Sequence, residues 1–143
     1  MEIEGKIWKN KGFWLVEVPS LDIMTQGQSK EDALFMIKDA VLELIMSYFK
    51  NDIGKDFNVQ VNSYKKGVIG IMTNDNSLML ALSLRRQREK SGSTVREVAE
   101  RLGSKSPNAY AQYEKGRIKI SLDKYEQLLY AANPLQHSRL RIT

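Results

Sequence analysis

The chain has 143 residues, no cysteine, 42% apolar and 27% charged residues, and a formal net charge of +5. That is room for one ordinary domain or two small ones, each marginal alone, and it excludes disulfides and thiolate chemistry. No run of eighteen apolar residues is present and the acidic Met1-Glu2-Ile3-Glu4 start lacks the apolar segment of a secretory signal, so neither membrane nor export is expected and the location expected is cytoplasmic.

The charge is unevenly divided. Residues 1–76 carry nine Lys against eleven Asp plus Glu, a balance of −2. Residues 77–143 carry thirteen Lys plus Arg against six acidic residues, a balance of +7. A mildly acidic half is joined to a strongly basic one, and the basic half is a candidate polyanion surface.

The first half begins as a sheet. Ile3 and Ile7 suit one face of a strand, Lys9-Asn10-Lys11-Gly12 reads as a turn in which Asn and Gly accept positive φ, and Phe13–Val18 is the returning strand. Pro19 ends its ladder because it has no N–H to donate. Ile23–Thr25 is a short third strand before Gly27. Ser29 then caps a helix, with Asp32 three positions on, and Ala33, Leu34, Ile37, Ala40, Val41, Leu44, Ile45 and Tyr48 recur at helical spacing up to a stop before Gly54. Phe57, Val59 and Val61 alternate with polar residues as a half-buried strand, Lys65-Lys66-Gly67 turns, and Val68–Met72 forms the last strand. The order β-β-β-α-β-β implies an α+β layer, an antiparallel sheet with a covering helix.

Thr73-Asn74-Asp75-Asn76-Ser77 is polar and turn-prone and sets the boundary between a domain at 1–73 and one at 77–134, with a tail at 135–143. The second domain reads as all-α. Its first helix covers Ser77–Lys90 and breaks at Gly92. Thr94 caps the second, with Glu97 completing a capping box, and Gly103 ends it. Ser106 caps the third, Pro107 occupies its first turn, and Gly116 ends it. Ser121 caps a fourth, which closes before Pro134.

The second and third of these helices, joined by the tight turn Gly103–Lys105, have helix-turn-helix spacing. Ala99 is small where they cross, so their axes can approach. The third helix then offers its tip to a major groove, which makes Ser106, Asn108, Ala109 and Gln112 the candidate base-reading residues. For Ser106 and Asn108 the competing reading is a plain cap and an ordinary helix-start residue. Lys115, Arg117 and Lys119, with Arg96 and Lys105 behind them, are candidates for phosphate contact. Tyr110 and Tyr113 lie on the side opposite the polar tip, where core packing is expected rather than base stacking. Partners expected are double-stranded operator DNA and, because one module has a small footprint, a second copy of the chain in a homodimer or higher oligomer. The dimer contact is expected in the fourth helix of this half or in Leu135–Ile142.

Two sets of marks add up to a resemblance. Leu84, Arg88, Val98-Ala99-Glu100-Arg101-Leu102-Gly103 and Ala111-Gln112-Tyr113-Glu114-Lys115-Gly116 resemble the phage-repressor (Xre or Cro-like) helix-turn-helix class. Val16-Glu17-Val18-Pro19, Thr25-Gln26-Gly27 and Glu31-Asp32-Ala33 resemble the HicB antitoxin domain, and Ser106–Gly116 resembles the segment of such antitoxins that carry this C-terminal module. The resemblance implies a type II toxin–antitoxin system. The N-terminal domain would have a partial ribonuclease-H-like fold without that enzyme's catalysis and would mask a HicA-like mRNA interferase, through residues within 1–73 that the sequence does not single out. The C-terminal domain would repress the operon. The two functions are then expected to separate at residues 73–77. The family loop after the proline often carries Gly and Cys before the Thr; here Ser20-Leu21-Asp22-Ile23-Met24 stands there, and Ile23 cannot take a glycine-only backbone. A stand-alone regulator without a toxin is the alternative.

An enzyme is not expected, and no cofactor or metal is implied. Glu17, Asp22 and Asp32 are the carboxylates available to imitate a nuclease metal site, but they fall on a strand, a loop and a helix start with no further strand carboxylate to join them. The sole histidine, His137, has no partner histidine and reads as solvated.

Overall fold

Alternation puts the apolar residues of the first two strands on one face of the sheet they form edge to edge. In the computed structural model, which describes residues 1–135 and 140–141, β1 (Glu2–Asn10) pairs antiparallel with β2 (Phe13–Val18), Ile7 opposite Val16. The connection has only two residues, Lys11 (φ +50°) and Gly12 (φ +87°). Positive φ at both central positions gives a twist that matches the flanking strands. Asn10, expected in the turn, is instead the last residue of β1 and pairs with Phe13, so a lysine takes the left-handed conformation.

Pro19 opens a single 3-10 turn, Pro19–Leu21, and Asp22 at φ +52° swings the chain into β3 (Ile23–Gly27). The left-handed position falls on Asp22, whose short polar side chain tolerates it. Ile23 lies in the strand, so the loop needs no glycine there. The helix α1 (Lys30–Tyr48) starts at a reciprocal cap. The Ser29 hydroxyl accepts from the Asp32 amide at 3.0 Å, and the Asp32 carboxylate accepts from the Gln28 amide at 2.9 Å. β4 (Val59–Ser63) and β5 (Val68–Thr73) follow, separated by a turn with Lys66 at φ +61° and Gly67 at φ +71°. Phe57, expected in the strand, precedes it in a turn, its amide donating to the Gly54 carbonyl.

The sheet order is β3-β2-β1-β5-β4. A sixth strand, β6 (Leu140–Arg141), pairs antiparallel with the start of β1, Leu140 opposite Ile3 and Arg141 opposite Glu2. Leu140–Arg141 were expected in a tail and instead belong to the unit formed by Met1–Asn76. A fragment ending at residue 76 would leave that edge of β1 unpaired. The rest of the expected tail contact, and His137, lie outside the described residues; Leu135 is exposed.

One face of the sheet packs on α1. It carries Ile3, Ile7, Val16, Val18, Ile23, Val59, Ile69 and Ile71, all buried, and α1 answers with Ala33, Ile37, Val41 and Ile45. The other face carries Glu4, Lys6 and Trp8 of β1, Leu15 and Glu17 of β2, and Met24 of β3. Glu2 on that second face is buried, its carboxylate accepting from the Asn62 side chain at 2.8 Å and the Tyr64 hydroxyl at 2.5 Å.

The second unit begins at Ser77. Four helices build it: α2 (Asn76–Lys90), α3 (Val95–Arg101), α4 (Pro107–Glu114) and α5 (Leu122–Ala132). Leu78 through Leu84 of α2 are all buried. No helix among the described residues is long and apolar enough to cross a membrane.

Gly27 makes the packing of α1 on the sheet possible. A Cβ there would stand 2.4 Å from the Ala33 amide nitrogen and 2.8 Å from the Ala33 Cα. Backbone cannot yield as a side-chain tip does, so Gly27→Ala should cost about 1–3 kcal/mol, the usual penalty for overpacking. Urea unfolding of the full chain, compared with Gly12→Ala, checks this: at Gly12 nothing lies within 4 Å and only the left-handed backbone at φ +87° is strained.

Candidate nucleic-acid interface

Each helix of the second unit has a local reason for its ends. Thr94 and Glu97 form a complete capping box, the Thr94 hydroxyl accepting from the Glu97 amide at 3.1 Å and the Glu97 carboxylate accepting from the Thr94 amide at 3.1 Å. That amide bond holds the Glu97 carboxyl below the ordinary carboxylate range. Gly103 at φ +75° closes α3 and Gly116 at φ +74° follows α4, both in the left-handed region that glycine enters without penalty. Between α3 and α4 the Ser104 hydroxyl braces the turn, donating to the Ser106 carbonyl at 2.8 Å.

The register of α4 is set from inside. Tyr110 and Glu114 point inward and are buried. Glu114 receives a bidentate pair from Arg88 of α2, with Nε to Oε2 at 2.7 Å and Nη2 to Oε1 at 3.0 Å. The same guanidinium donates through Nη1 to the Ser93 carbonyl at 3.1 Å, immediately before the Thr94 cap. One cation therefore joins the end of α2, the entry to α3 and the end of α4. The Glu114 hydrogen bonds raise the Arg88 pKa above the usual guanidinium value, against the opposing effect of burial. Burial likewise pushes the Tyr110 phenol upward, so it stays neutral.

α5 is fastened behind this pair of helices by polar contacts. Arg101 at the end of α3 donates to the Ala131 carbonyl at 2.8 Å and to the Ser93 hydroxyl at 2.9 Å. Ser91 donates to the Ala132 carbonyl at 2.8 Å, the buried Asn133 amide donates to Gln87 at 3.0 Å, and Ser83 and Tyr125 share a hydrogen bond at 2.8 Å. Arg101 is thus a structural cation, which separates it from the candidate phosphate contacts.

With Tyr110 and Glu114 turned inward, helical geometry puts Asn108, Ala109 and Gln112 on the opposite side. Asn108 and Ala109 are exposed and Gln112 is half-buried. Ser106 is exposed at the helix tip, and its hydroxyl accepts from the Asn108 amide at 3.3 Å, so the capping role proposed for it is in use. Tyr113 is half-buried and carries the Lys124 ammonium 5.5 Å from its ring centroid. Lys105 lies just before α4 and Lys115 just after it, both exposed, separated by a helix about 12 Å long. Arg117 and Lys119 are exposed in the segment that follows, and Arg96 is exposed in the first turn of α3. All nine candidate residues therefore fall on α3, α4 or the segments that flank them.

The carboxylates Glu17, Asp22 and Asp32 are spread over β2, the left-handed turn and the α1 cap. Among the described residues no three His, Asp or Glu side chains are grouped so as to hold a metal ion.

Comparison with known proteins supports the reading of the second unit. Residues 80–133 match the family model of a helix-turn-helix domain. No curated protein matches the chain. The matched stretch begins inside α2 and ends just past α5, so it contains the Arg88–Glu114 pair and every candidate contact named above.

Removing one partner of this pair should do more harm than removing both. Glu114→Ala leaves a largely buried guanidinium unpaired and should destabilise the chain by about 3–5 kcal/mol, while the volume-matched Arg88→Met/Glu114→Leu double variant should recover most of that loss. Chemical denaturation of the three proteins is the check.

Proposed function

We propose that the chain is a transcriptional repressor that binds operator DNA through its second unit and neutralises a small basic toxin through its first, in the manner of a HicB antitoxin. The observation that carries the DNA half is the outward polar face of α4, bracketed by exposed lysines, on a half-chain of net charge +7. A helix-turn-helix domain is a fold that places such a helix in the major groove. Asn108 and Gln112 carry amides able to pair bidentately with adenine, and Ala109 between them can meet a thymine methyl. Lys105, Lys115, Arg117, Lys119 and Arg96 supply phosphate contacts and so register rather than sequence.

The antitoxin half rests on the resemblance of Val16–Pro19, Thr25–Gly27 and Glu31–Ala33 to the HicB domain, on the order of the two modules, and on the opposite charges of the two halves. Residues 1–76 carry a net charge of −2 and β6 adds Arg141 to their unit, so it is the local carboxylates of α1, rather than the charge of the whole unit, that suit it to a protein that must itself attract RNA. No catalytic role is assigned to the first unit. DNA binding is proposed to occur as a dimer on an inverted repeat, with half-sites about 34–36 Å apart or a multiple of that spacing. α5 offers Leu122 and Tyr130, both exposed, as contacts for the second copy.

The test is a binding series on the full chain with DNA from upstream of its own gene. Gln112→Ala and Asn108→Ala should each lower the preference for that DNA over random duplex by about 1–3 kcal/mol. Lys115→Ala should weaken both kinds of binding and lower the salt slope by about one. Retained specificity in Gln112→Ala, with specificity lost in a folded Tyr110→Phe variant, would place the reading face elsewhere. DNA binding without capture of the neighbouring toxin-like protein would leave a stand-alone regulator.

A further inference from the structure

The helix α1 has two sides that the sheet does not explain. Ala33, Ile37, Val41 and Ile45 face the strands and are buried. On the opposite side Phe35, Leu42 and Met46 recur at intervals of seven and four residues, one straight line on a helix. Phe35 is 63% exposed and Met46 53%. Beside them Asp32, Asp39 and Glu43 recur at the same intervals. At 3.6 residues per turn the two lines run about 60° apart around the helix, with no lysine between them. α1 holds four carboxylates and two lysines, a net charge of −2, which equals the balance of residues 1–76 as a whole. A solvated helix face has no need of an exposed phenylalanine and two exposed methionines, Met36 being the second, in line with a row of carboxylates.

From this geometry we infer that the outer face of α1 is the protein-docking surface of the first unit, and that its occupant is a basic protein presenting an apolar centre flanked by lysine or arginine. The inference rests on the antitoxin reading and names the surface that reading leaves unassigned. Charge selects the occupant. Duplex DNA is repelled by the carboxylate row, and a second copy would bring another α1 of net charge −2 against the first. A basic partner gains both from steering by the carboxylates and from burial of Phe35, Leu42 and Met46. Phe35 and the flexible Met46 are suited to fill pockets on such a surface.

The experiment uses the full chain, and the probe is the small basic protein encoded by the reading frame adjoining its gene. Binding kinetics are measured for the natural sequence and for Phe35→Ser/Met46→Ser, Asp39→Lys/Glu43→Lys and, on the sheet face away from α1, Met24→Ser. Asp32 is left in place because it caps α1. The charge-reversed variant should associate at least about tenfold more slowly at low salt, with the difference shrinking as salt rises. The serine pair should dissociate at least about tenfold faster. Met24→Ser should bind as the natural sequence does, and both α1 variants should keep the circular-dichroism spectrum and melting temperature of the natural sequence, which shows that the first unit still folds. Unchanged kinetics in both α1 variants, beside a natural sequence that binds, would overturn the inference and leave the antitoxin reading standing. If Met24→Ser alone lost binding, the sheet face would be the surface instead. A dimer of the natural sequence that became monomeric in the α1 variants with toxin binding intact would assign the face to a second copy. No binding by the natural sequence would remove the antitoxin reading and this inference together.

Discussion

The bidentate pair between Arg88 and Glu114 fixes where α4 can stand. Glu114 is at the end of that helix, and together with the buried Tyr110 it sets the rotation of a helix only eight residues long. Because the guanidinium is planar and grips both carboxylate oxygens, it fixes direction as well as distance. Its third contact, to the Ser93 carbonyl, ties the same group to the entrance of α3. A largely buried ion pair is often no more stabilising than a pair of well-packed apolar side chains. What it contributes here is position: with Glu114 and Tyr110 held inward, Asn108 and Gln112 are left on the outside, where a groove can be read.

The rest of the second unit follows from that constraint. Arg101, Ser91 and Gln87 meet carbonyls and an amide at the C-terminal end of α5, so α5 backs the two helices rather than competing for their outer face. The candidate phosphate contacts lie elsewhere, in the turns around α4 and at the start of α3. The first unit shows the same division between inside and outside. Gly27 lets α1 lie close on the sheet, and that closeness fixes which side of α1 is left to solvent.

Much of this was legible in the sequence because it is written in local rules. Ser29, Thr94, Ser106 and Ser121 each cap a helix. Gly92, Gly103 and Gly116 each take positive φ next to a helix end. Arg88 and Glu114 were visible as marks of the helix-turn-helix class, but their contact spans 26 residues and belongs to the tertiary fold. What the sequence concealed is non-local in the same way. β6 is two residues long and exists only because the first residues of β1 extend beyond the end of β2. Lys11 takes a left-handed turn against its own preference because the pairing of Ile7 with Val16 sets the register. Ser106 illustrates a further limit, since one hydroxyl suits both a cap and a base contact, and only the folded chain shows the cap in use.

The central claim is that α4 and its flanking turns meet DNA while the sheet does not. An amide-resolved NMR titration of the full chain with duplex from upstream of its gene tests it most directly. The account predicts salt-sensitive shifts concentrated at residues 104–119 and around Arg96, with the strands of the first unit unmoved. Shifts concentrated in β1, β2 or β3, with α4 unchanged, would contradict it.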